Sequence, residues 1–383
     1  MTYLQSEALT PAAYLARHQR FTLEVQRGDH QHAAYVANPG RMHELLLPGV
    51  TVHLAPRPLR KLPWEALALS WHARWPGDRP RAVYLCTPQI NTLAAALLQA
   101  DLVPALAGYH IERAEVPLGH ARYDFLLRND RGHRRLLEVK SVTLVEEGLA
   151  MFPDATTARG LRHIAGLSQA ELPATLWFIA QGPAQHFLPD LHNDLAFARA
   201  LDAARGDLDI IACALNPTLD AGRLHFATPP RWLHCPWERL HPGLDDRGLY
   251  LLHLDVATPQ GIALATQGHR VLAPGHYIYV GCAQHQLSAT MAKDLRQRQH
   301  LRSPIDALRQ HAQRARAFAI RGITDACALA RDLATLGTTR LDLGPEPCPC
   351  GGHLFWAGPD DPVPTAPYQR LLTQWRHQRC FAP

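Results

Sequence analysis

Seven consecutive residues in the middle of the chain, Ala174 to Ala180 (ATLWFIA), are apolar but for one threonine. A strand of that composition has no face for water and must be covered on both sides, which a sheet sandwiched between helices provides. The surrounding sequence supplies such a setting. The stretch TLAAALLQADL after Asn91 predicts a helix with Asn91 as its cap, followed by strands near Ile111–Val116, Arg122–Leu127 and Arg135–Lys140. A second helix is predicted from about Thr157 to Ala170, and a third begins near Asn193. Strands alternating with helices indicate an α/β sheet.

The chain is not one such domain. Its 383 residues exceed what a single core organises. From Phe21 to Leu54 the pattern is short alternating runs, FTLEV, HAAYV and VTVHL, which predict a small β barrel or meander. Asn38-Pro39-Gly40 reads as a type II turn with glycine at the positive φ, and Arg41 just beyond it is placed to reach a phosphate. Residues 216 to 246 show no periodicity and read as a last strand plus a linker, after which GLYLLHL and HYIYVG are strands again. The expectation is an α+β and α/β multidomain chain: a barrel over 1–83, a second domain over 84–232, a linker over 233–246, a third domain over 247–360 and a tail over 361–383.

Charge separates these parts. Residues 1–240 hold 24 Lys+Arg against 23 Asp+Glu, and residues 241–383 hold 15 against 11, so the basic balance lies in the last third. From Lys293 to Arg321 eight cations face only Asp294 and Asp306, as either a solvated helix face or a phosphate track. Lys61, Lys140 and Lys293 are the only lysines in a chain that otherwise uses arginine, which marks them as positions for a compact, mobile ammonium. Scattered cysteines, no apolar run long enough for a bilayer and no basic-then-apolar leader imply free thiols, no membrane partner and a cytoplasmic setting.

Asp124 in the strand Arg122–Leu127 and, thirteen residues later, Leu137-Glu-Val-Lys140 in the next strand form the pattern D…ExK. Alternation along a strand puts Glu138 and Lys140 on one face and Val139 on the other. A hairpin turning at Asn129 to His133 lets Asp124 approach that face. Two hard oxygen ligands there suit Mg²⁺ or Mn²⁺, with the Val139 carbonyl and water completing the shell. A cation and an ammonium together suit phosphodiester hydrolysis. The same three residues also fit a solvated hairpin of alternating charge.

Six ordered pieces carry a resemblance: Asn38-Pro-Gly-Arg-Met42, Arg60-Lys-Leu-Pro-Trp-Glu65, Ile90-Asn-Thr92, Arg122-Tyr-Asp-Phe-Leu126, Glu138-Val-Lys-Ser-Val-Thr-Leu144, and Met151-Phe-Pro-Asp-Ala-Thr-Thr-Ala-Arg-Gly160 with His163. Residues 10 to 230 resemble the sugar fermentation stimulation protein A family. The resemblance implies an oligonucleotide-binding (OB) type barrel, a domain of the PD-(D/E)xK, restriction-endonuclease-like fold, and DNA, with RNA as a further candidate, for a partner. It places Asp124, Glu138 and Lys140 on the nuclease motif, Asp124 and Glu138 as metal ligands, and Glu115, or alternatively Glu112, as an accessory acid. It marks Arg122, Arg159 and His163 as nucleic-acid contacts, the last two on one helical face, and Asp154 as part of the family's signature or a helix cap. Ala121 stands where the family usually has serine. The implied functions are a metal-dependent nuclease or, alternatively, a DNA-binding or regulatory protein that keeps the fold without cutting.

Farther on, Gly248-Leu-Tyr250 and Tyr279-Val-Gly281, with His353-Leu-Phe-Trp356 at the end, resemble a small branch of GIY-YIG nucleases over about 245 to 357. Tyr250 and Tyr279 would be its tyrosine pair. Thr290 stands where that branch has arginine, Lys293-Asp294 replace an Arg-His pair, Ser303-Pro-Ile-Asp306 replace Trp-His-Ile-Asp, and Asp325-Ala326 lie where glutamate is expected. Without the arginine this second site is expected to be degenerate. Cys348, Cys350 and His353 offer only three ligands, with no fourth nearby in sequence, so ordinary thiols are expected there rather than zinc.

Overall fold

The computed structural model describes residues 8–71, 81–119, 121–226, 229–264, 268–297, 304–341, 348 and 350–378. Two compact units emerge, one of residues 1–190 with 196–237, the other of residues 191–195 with 238–383.

The first unit opens with β1 (Thr10–Gln19), β2 (Thr22–Arg27), β3 (His30–Tyr35), β4 (Thr51–Pro56), β5 (Trp64–Trp71) and β6 (Arg81–Tyr84). They pair in the order β3-β2-β1-β4-β5-β6, and a parallel pairing of β3 with β5 closes the first five into a barrel. Closure removes the open edges a flat meander would leave. Alternate residues such as Leu23, Val25, Val52 and Leu54 fill the interior.

Helix α1 (Ile90–Gln99) leads into a second sheet built from β7 (Tyr109–Leu118), β8 (Ala121–Asn129) and β9 (Arg134–Val142). The chain continues through β10 (Leu144–Glu146), β11 (Leu149–Phe152), α2 (Ala158–Ser168), β12 (Ala174–Ala180), β13 (His186–Pro189), α3 (Leu195–Ala203) and β14 (Asp209–Ala214). A hairpin of β15 (Pro217–Asp220) and β16 (Arg223–Phe226) and the short β17 (Arg231–Trp232) end it, more structure than the lone strand expected there. Strand order is β17-β14-β12-β9-β8-β7, with β12 parallel to both β9 and β14. Every residue of β12 is buried, as its composition requires. Trp177 and Ile179 pack with Leu93, Ala94 and Leu97 of α1 on one face, and Leu176 and Phe178 pack with Ile164 and Leu167 of α2 on the other.

Two local expectations are corrected. Gly40 does not have the positive φ of a type II turn; Met42 does, at 51°. Gly40 is there for room, because a Cβ on it would sit 2.1 Å from Asp154 Oδ2. Asn91 does not cap α1: it lies inside the first turn, after Gln89 at the cap position.

The second unit is built on β18 (Gly248–Val256), the hairpin β19 (Gln260–Leu264) and β20 (Gly268–Leu272), and β21 (Gly275–Ala283). Helices α4 (Leu287–Asp294) and α5 (Pro304–His311) precede β22 (Arg314–Arg321), and α6 (Ala326–Ala334), β23 (Thr339–Leu341), β24 (Leu354–Trp356) and α7 (Ala366–Thr373) complete it. Its main sheet runs β22-β18-β21-β24-β23. Gly281 lies across from Tyr250 on β18, and a Cβ there would be 2.1 Å from the buried Tyr250 ring. The ring cannot swing away, because its hydroxyl donates to Asp294. Gly281→Ala is therefore expected to destabilise the protein by about 1–3 kcal/mol through overpacking, read as a lower denaturant midpoint against the wild type. An unchanged midpoint would show that this packing is loose.

Candidate metal centre

The strands β8 and β9 pair in register from Arg128↔Arg134 to Phe125↔Leu137, and there the ladder stops. The next residues would be Asp124 and Glu138. Instead of a backbone carbonyl, the Asp124 Oδ2 accepts the Val139 N–H at 2.7 Å. The two strands part at this point, and β9 continues paired only with β12, with Leu176↔Glu138 and Phe178↔Lys140. Val139 faces the α1 side core, leaving Glu138 and Lys140 on the α2 side.

Each acidic group is fixed by several partners. Asp124 Oδ1 accepts from Asn91 Nδ2 at 2.7 Å, the task Asn91 performs in place of capping. Glu138 Oε1 accepts from the Lys140 ammonium and lies 2.6 Å from His163 Nδ1. The other oxygen, Glu138 Oε2, is buried with no hydrogen-bond partner among the described residues. Burial and then the Glu138 charge push the Asp124 carboxyl up to about 6. Burial alone would raise Glu138 too, but the His163 hydrogen bond and the Lys140 charge outweigh it and leave Glu138 below its ordinary value.

The donor set fits a hard divalent cation. Two carboxylates meet at the opened end of a hairpin, and one buried oxygen lacks any donor in a place where an unmatched acceptor is costly.

The remaining sequence-derived residues divide. Glu115 lies across from Asp124, since Ala114↔Phe125 and Val116↔Tyr123 flank it, and it holds a positive φ of 55°, which is rare outside glycine. Its exposed carboxylate engages Arg122 at 2.9 Å rather than turning to Asp124. Glu112 is farther away, paired with Arg134. His163 is not on an open face: it is 4% exposed, and its other nitrogen, Nε2, accepts from Arg159 Nε at 3.3 Å. Asp154 is not the cap of α2; Thr157 is, by accepting the Gly160 N–H, and Asp154 accepts the Met42 N–H at 3.3 Å. Burial raises the Asp154 carboxyl above its usual range.

Arg122, Arg159 and His163 line one open cleft of about 1040 Å³, together with Tyr123 and Arg162, which sequence reasoning did not single out. Tyr123 sits edge-on to His163, ring centroids 5.6 Å apart. Arg41 is exposed on the loop that docks onto Asp154 and does not line this cleft. The periodicity of α2 carried the signal for Arg162, which lies three residues beyond Arg159.

In the second unit the Tyr250 and Tyr279 rings meet edge to face at 6.2 Å, and burial with the Asp294 hydrogen bond raises Tyr250 far above its ordinary value. Asp325 caps α6 by accepting the Ala328 N–H. Three members of the basic stripe are engaged within the fold, Arg309 donating to the Leu295 carbonyl, Arg316 pairing with Asp361 and Arg321 donating to the carbonyls of Leu191 and His192, while Lys293, Arg296 and Arg314 are exposed. Ser303, Arg298 and Arg302 lie outside the described residues. Cys348, Cys350 and His353 come together with Cys327, a fourth ligand that sequence spacing did not reveal.

The fold and this centre define a multidomain α/β protein in which an OB-type barrel precedes a restriction-endonuclease-like domain, with a GIY-YIG-like domain after them. Comparison with known proteins gives three consecutive matches: the SfsA N-terminal OB domain over residues 15–76, the sugar fermentation stimulation protein RE domain over 89–220, and a domain of unknown function, DUF123, over 249–371. The sugar fermentation stimulation protein homolog of Moorella thermoacetica is 36% identical over 219 residues, 55% of this chain and 91% of that protein. The homolog of Chloroflexus aggregans is 37% identical over 219 residues, 55% of this chain and 81% of that one. The chain belongs to the sugar fermentation stimulation protein family. The solved structure of Pyrococcus furiosus SfsA in complex with Ca²⁺ matches with a TM-score of 0.54 and 25% identity, covering 61% of this chain and 99% of that one. No helix among the described residues is long and apolar enough to cross a membrane.

Because the folded Asp124 value, about 6, lies above its unfolded value of 3.8, the native state holds this proton more tightly. The associated stability is complete below the unfolded value and is lost as pH rises through about 6. Asp124→Asn removes that loss, so the metal-free variant is expected to gain about 2–3 kcal/mol on the wild type between these two pH values. Denaturant titrations of both proteins across the window check this; parallel curves would contradict it.

Proposed function

We propose that this protein binds DNA and hydrolyses phosphodiester bonds at the Asp124–Glu138–Lys140 centre. The barrel (1–83) and the nuclease-like domain (84–232) act together, joined by the linker 233–246 to a C-terminal domain (247–360) and tail (361–383). The observation that carries this reading is the buried, partnerless Glu138 Oε2 beside Asp124 and Lys140. The Ca²⁺ in the complex of the Pyrococcus furiosus relative adds support for a divalent ion.

Asp124 and Glu138 would hold Mg²⁺ or Mn²⁺. When bound, such an ion neutralises phosphate charge and acidifies water. Asn91 and the Val139 N–H orient the Asp124 carboxylate, and His163 fixes the Glu138 rotamer. The Lys140 ammonium, held against Glu138, orients the attacking water and stabilises charge developing on a phosphate oxygen. Arg122, Arg159 and Arg162 are exposed along the cleft and supply backbone contacts to the nucleic acid.

A second reading, binding without cutting, is favoured by one feature: the Lys140 ammonium already pairs with Glu138, and His163 hydrogen-bonds it, without an ion. In either case the C-terminal domain binds rather than cuts, since Thr290 and Lys293 replace the residues its chemistry needs and Asp325 serves as a cap.

The test uses purified protein with Mg²⁺ or Mn²⁺ on single- and double-stranded DNA and RNA. Lys140→Ala is expected to lower cleavage by about 100-fold or more while salt-sensitive binding persists. Tight binding with no wild-type cleavage supports the second reading, and cleavage that survives the substitution rules out this centre.

A further inference from the structure

Cys327 lies in the first turn of α6, Cys348 and Cys350 in the segment leading to β24, and His353 one residue before that strand. Twenty residues of sequence separate the first of these from the rest, yet their ligand atoms all lie within 4.8 Å of one another. We propose that these four residues bind one zinc ion as a closed structural site.

The two His353 separations match the edges of a tetrahedron around zinc, and the two sulfur–sulfur separations fall about 0.4–0.6 Å short of them. With Zn–S near 2.3 Å and Zn–N near 2.05 Å, tetrahedral edges are about 3.8 Å between two sulfurs and about 3.6 Å between sulfur and nitrogen. Here Cys348 Sγ is 3.2 Å from Cys350 Sγ and 3.4 Å from Cys327 Sγ, while His353 Nε2 is 3.6 Å from Cys327 Sγ and 3.7 Å from Cys348 Sγ. These separations are far too long for a disulfide, whose bond is about 2.05 Å.

The backbone is shaped to this end. Gly351 and Gly352 both have positive φ, 84° and 110°, and the Gly351 N–H donates to the Cys348 carbonyl at 2.8 Å. The resulting turn folds His353 back over the two thiols. The Arg340 guanidinium donates to the carbonyls of Cys350 and Ala330, tying this turn to α6 and placing a cation beside the thiols.

Four protein ligands leave no open coordination position, so the role is structural. The ion would fasten α6 to β24, which sits inside the sheet between β21 and β23. An edge of this sheet that depends on a three-residue strand gains most from such a staple.

Metal analysis of the full chain, purified without a metal-chelating tag, is expected to give one zinc per chain. Cys327→Ser with Cys350→Ser should abolish it, while Cys282→Ser, an exposed thiol outside the cluster, should leave it intact. Cobalt-loaded wild-type chain should show thiolate-to-cobalt charge transfer and tetrahedral d–d bands, a readout that needs no variant to fold. Wild-type zinc well below one per chain, full zinc in the double-serine variant, a disulfide among the three thiols, or cobalt spectra without charge transfer would each overturn the assignment.

Discussion

The site depends on one substitution of partners: where the hairpin of β8 and β9 should continue, the Asp124 carboxylate takes the Val139 N–H. That single bond satisfies a buried donor that would otherwise be left unmatched, and so lets the strands separate without penalty. Separation is what makes space for Glu138 and Lys140 beside Asp124. Had the ladder continued, Asp124 would be an ordinary cross-strand neighbour of Glu138, and two like charges directly opposite would weaken the sheet.

The surrounding fold stiffens that opening from both sides. Because β12 is covered by α1 on one face and α2 on the other, each helix delivers one residue to the centre, Asn91 and His163. The barrel is joined to the same unit through Gly40, whose missing side chain admits Asp154, and through Arg17, which donates to the carbonyls of Asn38 and Gly40. Burial makes these contacts consequential: it raises the carboxyls of Asp124 and Asp154 and leaves one Glu138 oxygen without a donor.

Much of this was legible in the sequence, for reasons that particular residues make clear. The ATLWFIA run fixed a strand buried on both faces, alternation placed Glu138 and Lys140 together, and the barrel strands fell where the short alternating runs lie. What sequence spacing could not convey were contacts made across elements. Asn91 reads as a cap because asparagine before an apolar helix usually is one, yet its amide reaches thirty-three residues along the chain to Asp124. Gly40 reads as a turn glycine at positive φ, yet its role is close approach, and spacing does not pair Cys327 with Cys348 because proximity there is created by the fold.

Asp124 and Glu138 would hold a divalent cation through Glu138 Oε2, for which the described residues offer no donor. Calorimetric titration of Mn²⁺ into the wild-type chain and Glu138→Gln tests it most directly. One binding event per chain in the wild type, weakened at least about tenfold in the variant, is the result the account predicts. Equal affinity in the two proteins, or no binding to the wild type, would contradict it.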